Sequence, residues 1–238
     1  DSTAVEKTDT AAVMPLTVKA RRLSLDDVEF GMKLVGTIDT LDARINSAKL
    51  NDGLFDMQKA EITGKSVMLD SVSARYIYPL VAELSKEPTD TTASSSAPWT
   101  VNIGSVILTR GDALYAASGA TPADGLDLNY IGVSEIEIEV DSLFNRATEI
   151  RVPLKKLHAR ERSGIQLDAT GTFSMDSVAM NARDFAINTL YSSINLDATM
   201  GVGDLTKDAD LPLRLKASAK ISPADLEMLF PTMSSMLS

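Results

Sequence analysis

One histidine and no cysteine limit the chemistry open to this 238-residue chain. Without thiols there is no disulfide framework, no thiolate zinc site and no Cys nucleophile, and one imidazole cannot build a multi-histidine metal site. His158 lies among Lys155, Lys156, Arg160 and Arg162. No Ser and Asp partners are identifiable around it, so it reads as a surface or strand histidine; one member does not make a triad. Gly201-Val202-Gly203 lacks the third glycine and the following helix that phosphate cradling needs, and reads as a turn. Asp204, Asp208 and Asp210 carry the oxygen ligands calcium takes but not the Gly and distal Glu of a calcium loop, which leaves a solvated turn. Asp26-Asp27 and the comb Glu135, Glu137 and Glu139 read as the wet face of a sheet. Trp99 could stack on a sugar, yet a lone tryptophan in a chain with 5% aromatic residues reads first as a core anchor. A glycan-processing domain would need two carboxylates about 5 to 10 Å apart in a cleft, which a sequence does not measure. The expectation is a protein that is not an enzyme and has no cofactor or metal. Its net charge of −10 also sets it against nucleic acid, whose affinity comes largely from Lys and Arg.

The elements that would position these residues are strands. Hydrophobic residues make up 44% of the chain, enough for a large folded domain. Ile136, Ile138 and Val140 alternate with the three glutamates, as in a strand with one buried face. The same period of two runs through Ile165, Leu167, Ala169, Gly171 and Phe173, through Ile194, Leu196, Ala198, Met200 and Val202, and through Leu211, Leu213, Leu215, Ala217, Ala219 and Ile221. Shorter strands are expected in the first third, at Val18 with Ala20, Met32 to Ile38, Leu41 to Ile45, and Ile62 to Leu69, with Asn51-Asp52-Gly53 as a turn. Helix signals are few. Ser222 as N-cap, Pro223 at N1 and Asp225 closing a capping-box-like S-x-x-D precede the apolar stripe Leu226, Leu229, Phe230 and Met233. A weaker candidate covers Pro79 to Lys86.

The fold expected is mainly β: an extended antiparallel sheet or solenoid-like meander, with one or two short helices at its ends. Residues 1–14 read as a polar linker, 15–86 as a first β unit, 87–97 as a Ser/Thr-rich loop, and 98–238 as a second, longer unit ending in the short amphipathic helix. Pro98-Trp99-Thr100-Val101 loosely repeats Pro15-Leu16-Thr17-Val18. The absence of an initiator Met, a signal peptide and a long apolar run suggests a piece of a longer protein whose anchor lies outside it.

Several segments taken in order resemble the AsmA/TamB-like proteins of diderm bacteria. They are Trp99-Thr100-Val101 to Leu108, Leu126-Asp127-Leu128-Asn129, Ile136-Glu137-Ile138, Ile150 to Leu157, Glu161-Arg162-Ser163-Gly164 with Leu167, Gly171 and Phe173, and Thr189-Leu190-Tyr191-Ser192. The stretch from Ser222 to Pro231 is similar to a helix of that family. The resemblance implies a long periplasmic protein anchored in the inner membrane, with a U-shaped, curved (taco-like) antiparallel sheet whose concave face is greasy. It also implies a role in phospholipid transport to the outer membrane, or in assembling outer-membrane proteins with a barrel partner. Phospholipid or another acyl-chain ligand is then the expected partner. Alternate side chains of a strand point to opposite faces, so one parity would line such a groove: Ile136, Ile138, Val140, Ile165, Leu167, Ile194, Leu196, Leu213 and Leu215. The competing expectation is a β-sandwich or solenoid stalk, adhesin-like, with that face packed dry on itself.

Overall fold

The computed structural model describes residues 17–33, 40–78, 99–202 and 212–231. They form one 14-stranded sheet and one short helix. The strands are β1 (Thr17–Lys33), β2 (Thr40–Asp56), β3 (Glu61–Gly64), β4 (Ser66–Tyr78), β5 (Thr100–Ile103), β6 (Val106–Leu108) and β7 (Gly111–Ala117). After them come β8 (Tyr130–Val140), β9 (Leu143–Arg146), β10 (Glu149–Glu161), β11 (Gln166–Met175), β12 (Ala179–Asn188), β13 (Ser193–Gly201) and β14 (Leu213–Lys220), then α1 (Pro223–Leu229). Residues 1–14, the 79–86 helix candidate, the 87–97 loop and Asp204, Asp208 and Asp210 lie outside the described residues.

Several of these strands are segments of longer ones. β3 and β4 both pair with β2 in one continuous register, while β5, β6 and β7 lie beside β3 and β4 at a constant offset. β8 and β9 continue each other in the same way beside β5, β6 and β7, and both pair with β10 on their other side. Taken so, the spatial order of the sheet is the order of the chain, from β1 at one side to β14 at the other. The departure from the antiparallel expectation is a single parallel joint, where β4 meets β6 and β7, and β3 meets β5. Parallel neighbours cannot be joined by a tight hairpin, and Tyr78 and Thr100 accordingly stand at opposite ends of the joint. The strands of the two expected β units meet at this joint, side by side in one sheet. Across it Asp70 accepts from Arg110 Nε at 2.9 Å and Nη2 at 2.5 Å and from Thr109 Oγ1 at 2.7 Å. The Arg110 hydrogen bonds, with that from Thr109, hold the Asp70 carboxyl down to about 2.

β1 and β2 are 17 residues each, longer than the alternation predicts. The reason is a set of strand interruptions at which a non-glycine residue takes positive φ: Asp27 (52°), Asp52 (46°), Ser71 (52°), Glu135 (55°) and Asp184 (51°). Each stands where the apolar parity switches. Leu23 and Leu25 give way to Val28, Val67 and Leu69 to Val72 and Ala74, Ile131 and Val133 to Ile136 and Ile138, and Met180 and Ala182 to Phe185 and Ile187. An extra residue at the switch absorbs the kink and keeps the apolar set on one face. The ladders of β8 and β12 shift register at these points. Asn51-Asp52-Gly53 is therefore not a turn; it lies inside β2, opposite a matching irregularity in β1 near Arg21. Gly171 (φ 147°) faces the β12 kink, and a Cβ there would lie 2.6 Å from the Phe185 ring.

Helix α1 forms as its caps predict, with Ser222 Oγ accepting from Ala224 N at 3.3 Å and Pro223 in the first turn. Asp225, however, closes no capping box. The Ser222 N–H donates instead to Ser192 Oγ at 2.9 Å, and the buried Asp225 carboxylate accepts from the Ser192 and Thr189 hydroxyls. At the other end of the helix Leu126 N donates to Leu229 O at 2.8 Å, against Gly125 (φ 76°), where any Cβ would stand 2.5 Å from that oxygen. The helix so ties the β12–β13 turn to the β7–β8 loop across one end of the curved sheet.

Candidate functional site

The register assembles side chains into rows that cross the sheet on one face, because directly opposite residues share a face. One row is apolar at every position: Leu25, Ala48, Leu69, Leu108 and Ile138 from β1 to β8, then Leu157, Ala169, Ile187, Ile194 and Ala219 on to β14. The adjacent row runs from Leu23 through Leu50, Val67, Val106 and Val140 to Leu154. Beyond Gly171 it resumes with Phe185, Leu196 and Ala217.

The structure places eight of the nine expected groove residues in strands on this face. Ile138, Val140, Ile194 and Leu196 belong to the two rows above, and Ile136 lies beside them with its Cβ close to Gly111. Leu167 stands opposite Ala159, Leu215 opposite Ala198, and Leu213 opposite Met200, which continues into Met180 and Met175. Ile165 is the exception: it sits one residue before β11, in the turn where Glu161 N donates to its carbonyl at 2.9 Å, and is buried. Trp99 stacks on Phe55 at 5.3 Å near one end of the face. Tyr76, Tyr78 and Tyr115 stack on one another near the other end, a cluster that sequence reasoning missed because it forms across the parallel joint.

Burial on this face is partial. Val140, Ala159, Ala169, Ile103 and Ala117 are buried, yet no described side chain falls below 2% exposure, and Leu213 and Leu215 are 64% and 63% exposed. A sheet packed dry on a second layer would bury its large aliphatic residues completely.

The opposite face carries the charges. Glu135 pairs with Arg160 at 3.0 Å, Glu137 with Lys156 at 2.5 Å, and Lys155 with Asp141 at 2.8 Å and Glu139 at 3.5 Å. The glutamate comb and the basic patch are thus two sides of one cross-strand ladder. The Lys156 ammonium lowers the Glu137 carboxyl below its ordinary range, and Glu137 in turn raises Lys156. His158, directly opposite Glu137 and Asp168, bonds Asp168 through Nδ1 at 2.8 Å. Among the described residues that is its one partner, so no nucleophile completes a triad. The largest depression described, about 650 Å³, is open and lies on this polar face among Glu29, Arg44, Arg75 and Asp112. The sheet thus presents an apolar surface on one face and paired charges on the other. A scan against protein-family models returns no match, and no curated protein matches the chain.

Proposed function

We propose that this chain is a segment of an AsmA/TamB-like envelope protein that presents an apolar β-surface to phospholipid acyl chains. Its work is non-catalytic. The full protein sits in the periplasm, anchored in the inner membrane, and serves phospholipid transport to the outer membrane or protein assembly there with a barrel partner. The observation that carries this reading is the row from Leu25 to Ala219, apolar at every position and incompletely buried. Contiguous exposed apolar surface of this kind marks an interaction site. A buried methylene contributes roughly 0.8 kcal/mol, so an acyl chain lying along several rows would be held even by imperfect contacts.

A photo-crosslinking amino acid placed in turn at Ile138 and at Glu137 tests it, in the chain mixed with phosphatidylethanolamine vesicles and read by mass spectrometry. Lipid adducts are expected from position 138 and not from 137. Equal labelling, or none at either position, overturns the reading.

A further inference from the structure

Two strands have a single neighbour each among the described residues, β1 on β2 and β14 on β13. Their free edges differ. β1 is broken by the positive φ of Asp27, and its ladder skips Arg21 and Asp27, so its row of outward N–H and C=O groups is discontinuous. The β14 ladder runs without irregularity from Leu213 to Lys220, and all eight residues are exposed.

The phase of the β14 hydrogen bonds follows from one contact. Gly201 N donates to Pro212 O at 3.0 Å, which makes 201 and 212 a hydrogen-bonded pair. Such pairs alternate along an antiparallel ladder. Arg214, Lys216, Ser218 and Lys220 therefore turn their backbone groups to β13, and Leu213, Leu215, Ala217 and Ala219 turn theirs to the open edge.

The side chains add a charge rule. β14 holds three cations and no carboxylate, and none of Arg214, Lys216 and Lys220 has an ion-pair partner among the described residues. The carboxylate opposite Lys216, Asp197, accepts instead from the Asp184 N–H at 2.9 Å. We infer that β14 is a strand-addition edge, and that it takes an extended segment in which Asp or Glu alternates with apolar residues. Such a strand continues the rows through Leu213 and Leu215 on one face and sets carboxylates beside the unpaired cations on the other. A second β14 would bring cation against cation, so the edge opposes its own self-pairing. The inference does not depend on what the apolar face carries.

Three labelled eight-residue peptides test it by fluorescence anisotropy and amide exchange: alternating Val and Glu, alternating Val and Lys, and a block peptide with the composition of the first. The Val-Glu peptide is expected to bind and to protect the Leu213, Leu215, Ala217 and Ala219 amides. The Val-Lys peptide should bind at least roughly tenfold more weakly, since like charges directly opposite destabilise a strand pair. Ala217→Pro removes an N–H that points away from β13, so it should abolish binding while leaving the melting temperature close to that of the parent. The triple change R214E/K216E/K220E should reverse the preference between the Glu and Lys peptides, and carries the test if the proline variant does not fold. Absence of binding, equal binding of the Glu and Lys peptides or of the block peptide, or protection appearing on β1 in place of β14, overturns the inference.

Discussion

Val140 at the middle of the sheet and Leu215 at its margin belong to the same apolar face, yet the first is 6% exposed and the second 63%. Leu25, at the opposite margin, is 49% exposed although its row is apolar throughout. The difference follows lateral position. A central residue has apolar neighbours on both sides and the curl of the sheet around it, while a marginal one has neighbours on one side only. Here the hydrophobic effect acts mainly sideways, along rows, and less between layers. A face built this way has a firm middle and accessible rims.

Paired substitutions give the largest test. Val140→Asp should cost about 4 kcal/mol, because a carboxylate would be buried without a partner. Leu215→Asp should stay within about 0.5 kcal/mol, as surface changes generally do. Urea midpoints measure both, and equal losses would mean that a second layer covers the rim. Next in size, Asp225→Ala should cost about 1–3 kcal/mol, since it orphans the Ser192 and Thr189 hydroxyls. The Leu126 amide should then lose exchange protection ahead of the central strands; simultaneous loss would join the helix to the central core.

Ser71 separates a kink from a plain strand. In an ordinary strand Val is preferred to Gly. At φ 52° the order should invert, with Ser71→Val costing about 1–2 kcal/mol and Ser71→Gly near neutral. Melting curves in which Val is the better residue would remove the parity switch that keeps β4 apolar on one side. The smallest effect belongs to the polar face. Asp70 titrates lower folded than unfolded, so its ion pair stabilises above its ordinary value of 3.8 and is lost as pH falls through about 2. The stability difference between the parent and Asp70→Asn should be constant above that window and vanish below it. A difference that persists in strong acid would assign the effect to something other than Arg110.

The strands with unbroken alternation, such as β13 and β14, were legible residue by residue, and the residues on them expected to line a groove fall on one face as their parity requires. β1 and β2 were legible only in pieces. A kink at Asp27 or Asp52 shifts parity by one, and in a linear string that looks the same as a strand ending and another beginning. The glutamate comb and the basic patch could each be seen, but not their pairing, which depends on the register of β8 against β10. The parallel joint escaped for a related reason: alternation fixes which side chains share a face, not the direction of the neighbouring strand. Asp225 had the spacing of a capping residue, and nothing local announces that two hydroxyls 33 and 36 residues away would claim it.

The parallel joint also has a mechanical meaning. Where the neighbours are antiparallel hairpin partners, tension applied through the polypeptide loads the two strands at the same end, and their hydrogen bonds open one after another as in a zipper. Where β4 lies beside β6 and β7, the loaded ends are at opposite ends of the pair, so the same bonds are pulled in shear and share the force. With chain order equal to sheet order, the ladders are stressed in series, and this joint should be the last to part.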